Sequence, residues 1–395
     1  MKQYVLTFLS VAISTFLLAQ TPSNSTVLPC GTAPVKSEWL KRYQANPAAF
    51  DQYSRNQNTL YAGMTLHVVG SDAGVGYISF NDLMEGFCDL NTDMAQADIQ
   101  FFIQGDILFI DSSGWNNHAT VIQGAEMMFA NNVPNTLNCY VVADPAGNAG
   151  YNLPYAGIAL TKSGASGGGH VWSHEVGHNL SIQHPFLGWE GKTYNYGNPT
   201  PTTVTYDYTY FKDTLIVDTL IIDTAFVELT DGSNCTFAAD GFCDTSPDYL
   251  SSGGWQCNAQ GLSNTLQKDP NGVDFRSDAT NIMAYSSDAC VVSISPQQIA
   301  AMRAYLQTER SAYLFNQNPM RDTITATANM LNPIAGQIEQ YDYVELEWES
   351  VPNATHYVVQ VSRLNSFSFI EYNALTSDTS LIVTNLQNQK IIFGE

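Results

Sequence analysis

Apolar positions along the chain change their period several times. Residues 65–69, 99–103, 107–110, 137–142 and 157–161 are short apolar runs that predict strands. Between them, Leu83, Met84, Phe87, Leu90 and Met94 recur at helical spacing over 80–94, and 121–130 reads as a second helix. Strands alternating with helices predict a mostly parallel sheet covered by helices. A glycine-rich turn follows at 163–169. Over 206–231 a DTLIV pentad at Asp213 is repeated as DTLII at Asp218 and begins again at Asp223, and its β-branched content predicts a hairpin extension. Ser295, Pro296 and Gln298 form a capping-box start for a helix that buries Ile299, Met302 and Leu306.

The ends of the chain differ from this middle. Residues 21–60, rich in Asn, Gln, Ser and Pro, read as a leader and not as core. Beyond Phe315 the composition turns to Asn, Thr and Pro until about 336, which reads as a linker. Residues 344–348, 357–361 and 380–384 then alternate as short strands.

Composition narrows the function. With 15 basic against 37 acidic side chains, the formal charge is 15 − 37 = −22. That excludes nucleic acid or an anionic membrane surface as the main partner, since both call for Lys/Arg patches. Lys2 precedes an apolar run from Tyr4 to Leu18 that ends at Ala19, which predicts a secretory signal peptide over 1–20. That run is short of the ~20 residues of a span, and no second stretch reaches that length. The expected location is secreted, extracellular or at the cell surface.

Export gives the seven cysteines an oxidising setting. Their odd number leaves at least one unpaired within the chain. Cys235, Cys243, Cys257 and Cys290 lie close enough in sequence for a local disulfide framework, and a Cys88–Cys139 bridge from helix to strand stays open.

The chemistry is concentrated in His174-Glu175-Val176-Gly177-His178. On a helix, His174 and His178 share one face and can hold one zinc ion, with Glu175 placed as a base towards the attacking water. His184 lies six residues further on, so the helix must break near Leu180 for it to become the third ligand. A glutamate in that role would be Glu190, and His170, one turn before His174, also falls on the ligand face. Three histidines already complete the site.

The spacing from His174 to His184, joined with Asn281-Ile282-Met283-Ala284-Tyr285 and Cys243-Asp244-Thr245, resembles the pappalysin branch of the metzincin zinc peptidases. Ulilysin-type and cytophagalysin-type enzymes belong to that branch. The resemblance covers roughly 30–315 and implies an α+β metzincin catalytic domain. Such a domain has a mostly parallel twisted sheet, an active-site helix and an irregular C-terminal subdomain with a methionine turn. It implies His174, His178 and His184 as zinc ligands, Glu175 as general base, Met283 beneath the metal and Tyr285 as oxyanion stabiliser. Where relatives carry glycine after the second histidine, this chain has Ser181, at a turn that favours a left-handed backbone.

The resemblance implies more. Cys30 is a candidate latency switch, whose thiolate can occupy the open zinc position; the alternatives are a disulfide partner or an unengaged thiol. Ser54-Arg55 is a candidate processing point. The family pattern suggests Cys257–Cys290 and Cys235–Cys243 disulfides. Members bind calcium, for which Asp231, Asp240, Asp244 and Asp248 offer oxygen ligands. Ala289 stands where arginine-selective relatives place Asp, with Asp288 one residue earlier, so a weaker arginine preference is expected.

The expected organisation is a signal peptide at 1–20, a pro-segment at 21–58, the peptidase domain at 59–315, a linker at 316–335 and a partial fibronectin type III-like β-sandwich at 336–395. That sandwich needs about seven strands, more than the tail supplies before Glu395. The expected function is a secreted zinc endopeptidase made as a zymogen and acting on proteins or peptides. The alternative is a surface or matrix binding protein with a catalytically idle metzincin domain; the intact Glu175 favours the enzyme. Nothing in the sequence sets an oligomeric state.

Overall fold

The computed structural model describes residues 30–394 apart from 55–57, 213–214, 250–253, 317, 320–323, 325, 335, 341, 363, 365–369, 385 and 387–392. The signal-peptide expectation and the processing point at Arg55 lie outside the described residues.

Residues 38–45 contribute to the core, contrary to the reading of 21–60 as a leader and not core. Helix α1 (Glu38–Ala45) starts at Ser37, whose hydroxyl accepts from the Leu40 amide. It buries Trp39, Leu40 and Tyr43 in the main apolar cluster. Those three positions fall on one helical face, a pattern too short to stand out among polar neighbours.

Strand β1 (Leu60–Gly70) is the centre of a seven-stranded sheet. Helix α2 (Phe80–Met94), capped by Ser79, lays Leu83, Phe87, Leu90 and Met94 in the core. Strands β2 (Ile99–Ile103) and β3 (Leu108–Asp111) both pair parallel with β1. Helix α3 (Val121–Asn131), capped by Thr120, leads to β4 (Leu137–Val142), parallel to β1. Next come β5 (Gly150–Leu153) and β6 (Gly157–Thr161); β6 is parallel to β4, and β5 is antiparallel to β6 at the sheet edge. The mixed α+β architecture with a mostly parallel sheet agrees with the expectation from the alternating pattern. β1 and β4 are apolar almost throughout because both faces are covered.

Helix α4 (Val171–Asn179) packs against β5 and β6 and carries the HExxH residues. The pentad region forms a two-stranded antiparallel hairpin, β7 (Thr203–Lys212) with β8 (Leu215–Phe226). Its base joins a second apolar cluster with Phe186, Trp189, Tyr249 and Trp255. Helix α5 (Pro296–Thr308) begins with the expected capping box and buries Met302 and Leu306, while Ile299 is only partly covered.

Among the described residues, the tail forms two three-stranded sheets. Met330–Asn332 pairs with Val344–Trp348, which pairs with Ser380–Val383. Tyr357–Ser362 pairs with both Ile370–Thr376 and Phe393–Gly394. Val344, Leu346, Trp348, Val359, Val361 and Val383 from these sheets share one apolar cluster. Met330–Asn332 comes from the stretch whose composition reads as linker.

Disulfides join Cys235 to Cys243 and Cys257 to Cys290. The bridge left open between Cys88 and Cys139 does not form. Cys139 is buried in the middle of β4, whereas Cys88 points outward from α2, away from the face that carries Leu83 and Phe87. Among the described residues no helix is long and apolar enough to cross a membrane.

Candidate metal centre

Helix α4 ends where the sequence requires it to. The Ile182 amide donates to the Gly177 carbonyl at 3.0 Å and the Ser181 amide to that of His178 at 2.9 Å, the paired bonds of a Schellman turn. Ser181 takes the left-handed conformation at φ 73° that this turn demands. The reversal carries His184 back towards the helix face. Its imidazole then stacks on Phe186, with ring centroids 4.4 Å apart.

Three imidazoles converge. The Nε2 atoms of His174, His178 and His184 lie 3.0–3.1 Å from one another, and all three rings are buried. Each Nδ1 faces an oxygen: the Ile282 carbonyl at 2.8 Å for His174, the Ile182 carbonyl at 2.9 Å for His178, and Glu190 Oε1 at 3.0 Å for His184. The two carbonyl oxygens can only accept, so the protons of neutral His174 and His178 are assigned to Nδ1 and their lone pairs to Nε2. Burial raises the Glu190 carboxyl to about 8, and His184 takes the same tautomer when that carboxyl is ionised. Burial lowers the pKa of His174 to about 4 and holds the other two well below the usual value. Three lone pairs aimed at one point repel unless a cation sits between them. Tetrahedral zinc with nitrogens at ~2.0–2.1 Å sets those nitrogens roughly 3.3 Å apart, so the observed set fits zinc.

Around this triangle stand the other residues named from the sequence. Met283 is buried below α4; a Cβ at Gly177 would meet its sulfur at 2.4 Å, so glycine is what allows that approach. Glu175 is fully buried; Oε2 accepts from the Thr32 hydroxyl at 3.0 Å, and Oε1 has no nitrogen or oxygen partner among the described residues. Burial raises its carboxyl to about 8, partly offset by the Cys30 and Thr32 side chains. The Tyr285 ring lies 5.2 Å from that of His184 and 5.8 Å from that of His174, centroid to centroid. Burial and then Cys30 push its phenol well above the usual value, so it keeps its proton.

Residues 30–32 enter the site. The Cys30 sulfur and one nitrogen from each of the three histidines lie within 4.8 Å of one another. The Cys30 amide donates to the Tyr285 oxygen at 2.5 Å, and the Gly31 amide to the Gly150 carbonyl at 2.9 Å. The Asn152 amide donates to Thr32 Oγ1 at 2.8 Å, so residues 30–32 run along the β5 edge. Burial, then the Glu175 carboxylate, push the Cys30 thiol up, and a divalent cation beside it acts the opposite way.

Other candidates stand elsewhere. His170 is outside the triangle: its Nδ1 faces Asp93 Oδ2 at 2.8 Å. Glu190 supports His184 and is not among the converging ligand atoms. Asp288 accepts from the His170 amide at 3.3 Å. Each of the four aspartates considered for calcium accepts hydrogen bonds from nearby protein groups. Asp231 accepts from the Ser233 amide, Asp240 from Phe242 and Thr245, Asp244 from Ser295 and Gln297, and Asp248 from the Trp255 indole. Among the described residues, the three histidines with Cys30 are the one such group of three or more that could hold a metal. Sequence reasoning missed Thr32 altogether and weighed Glu190 only as a ligand. For Thr32 the available signal was its place two residues after Cys30.

No protein-family model matches the chain. No curated protein matches it. Among solved structures, it is similar to a mutant of promirolysin from Tannerella forsythia at 16% identity and a TM-score of 0.42, over 70% of this chain and 91% of that one. A likeness that distant has no bearing on what the site does.

Proposed function

We propose that the chain is a secreted zinc-dependent endopeptidase, held latent by its own leader. The observation that carries the reading is the convergence of three buried imidazole nitrogens on a helix that also carries a buried carboxyl, Glu175, directly after the first histidine. His174, His178 and His184 would hold the ion. When bound, zinc supplies Lewis-acid polarisation of a peptide carbonyl and acidifies water.

The chain's residues supply the rest. Glu175, with a pKa raised to about 8, takes a proton from the attacking water as its oxygen adds to the carbonyl carbon. It returns that proton to the amine as the carbon–nitrogen bond breaks. The Tyr285 phenol, still protonated, donates to the carbonyl oxygen as that oxygen gains charge. Residues 30–32, extended along β5, support a polypeptide substrate, because they already lie there as one.

Latency follows from the same contacts. The leader places a thiol at the histidine triangle, an amide on Tyr285 and a hydroxyl on Glu175. Each working group is engaged until the leader withdraws. Export is supported by the N-terminal pattern and by two disulfides, which persist in oxidising compartments.

The test is cleavage of a denatured protein by the full chain, before and after limited proteolysis of the leader, with and without chelator and beside Glu175→Ala. Chelator-sensitive cleavage that Glu175→Ala abolishes is expected. Inactivity of the processed chain, unchanged by chelator or by added zinc, would sink the reading.

A further inference from the structure

Glu190 lies six residues past the last histidine, in a turn that the proposed chemistry does not use. Its two oxygens have separate tasks: Oε1 accepts from His184 Nδ1 at 3.0 Å, and Oε2 from the Gly188 amide at 2.7 Å. The second bond fixes the carboxylate relative to its own backbone, so the first fixes the imidazole. His174 and His178 are held differently, each by a backbone carbonyl. His184 alone of the three is oriented by a side-chain carboxyl group.

The turn carrying Glu190 is itself braced. Gly188 has φ 97°, and a Cβ there would stand 2.8 Å from Val204, 3.1 Å from Ala225 and 3.4 Å from Tyr206. Those three residues form the base of the β7–β8 hairpin, where Ala225 pairs with Val204. The hairpin base thus lies against Gly188, whose amide holds Glu190, and Glu190 holds His184.

We propose that Glu190 is a positioning residue for the third metal ligand, kept in place by the base of the tandem-repeat hairpin. A carboxylate on Nδ1–H makes the imidazole more basic and holds its Nε2 lone pair on the ion. The inference rests on the zinc reading of the site.

The experiment titrates zinc into the metal-free full chain against a competing chelator, for the parent, Glu190→Gln and Glu190→Ala. Loss of an outer carboxylate is expected to weaken zinc binding about 10- to 100-fold, most in Glu190→Ala, which loses both charge and acceptor. Glu228→Gln serves as a control: it alters a buried carboxylate outside the site, so it should lower the melting temperature and leave zinc affinity within about twofold. If Glu190→Ala does not fold, Glu190→Gln carries the comparison. Equal affinity in parent and variant overturns the positioning role and leaves the zinc reading intact. A parent that binds no zinc overturns both.

Discussion

The Thr32 hydroxyl donates to Glu175 Oε2 at 3.0 Å, and Thr32 Oγ1 itself accepts from the Asn152 amide at 2.8 Å. One leader side chain therefore bridges the buried carboxylate and the sheet edge. Cys30, two residues earlier, reaches the histidines. Latency is expected to have two independent locks. Cys30→Ala alone should leave the precursor partly silent, Thr32→Val alone likewise, and the double variant should cleave a peptide substrate faster than either. A hydrogen bond to a charged partner contributes about 1.5–3 kcal/mol, so Thr32→Val should raise precursor activity roughly 10- to 100-fold. Precursor rates with the leader uncut decide this, and a Thr32→Val precursor as silent as the parent would exclude the second lock.

Glu175→Gln keeps the shape of the side chain and removes its basicity. General acid–base catalysis contributes typically 10²–10⁴-fold, so kcat should fall by about that factor. Zinc content, measured by mass spectrometry under native conditions, should stay at one ion per chain, because Glu175 is not among the converging ligand atoms.

Leu40 is wholly buried although it belongs to the leader. Leu40→Ala should destabilise the precursor by about 2–5 kcal/mol, the usual range for a buried leucine. Denaturant unfolding of the uncut chain measures it. A leader that merely lay on the surface would give a change under about 0.5 kcal/mol.

Asp248 sets a pH dependence of stability. Its carboxyl is raised to about 7, first by burial, against an unfolded value near ~3.9. The folded state thus holds the proton longer than the unfolded one. The stabilisation is complete below pH ~4 and is lost as pH rises through about 7, by at most about 1.4 kcal/mol per unit. Asp248→Asn cannot ionise, so its melting temperature should gain on that of the parent between pH 4 and 7 and run parallel above. A constant difference across that range would refute the linkage.

Much of the frame was legible in the sequence. The limits of α2, β2, β4 and β6 coincide with the runs at 80–94, 99–103, 137–142 and 157–161, because an apolar face at one period has only one way to be buried. The three histidines that converge were legible for a similar reason. His174 and His178 are one turn apart, and His184 follows a helix end at the expected place. The leader misled, since three apolar residues in eight carry little signal and their burial depends on α5, over 250 residues away. A Cys88–Cys139 bridge stayed open because spacing says nothing of the side from which a helix offers its sulfur.

The sequence by itself determined which segments are strands and helices, and which imidazoles can share a helix face, since both are properties of local period. Tertiary structure decided what surrounds those imidazoles. The placement of Thr32 on Glu175, of Glu190 on His184 and of a repeat hairpin behind Gly188 joins residues from separate elements. Such contacts are selected by packing around a shared core, and no local pattern encodes them.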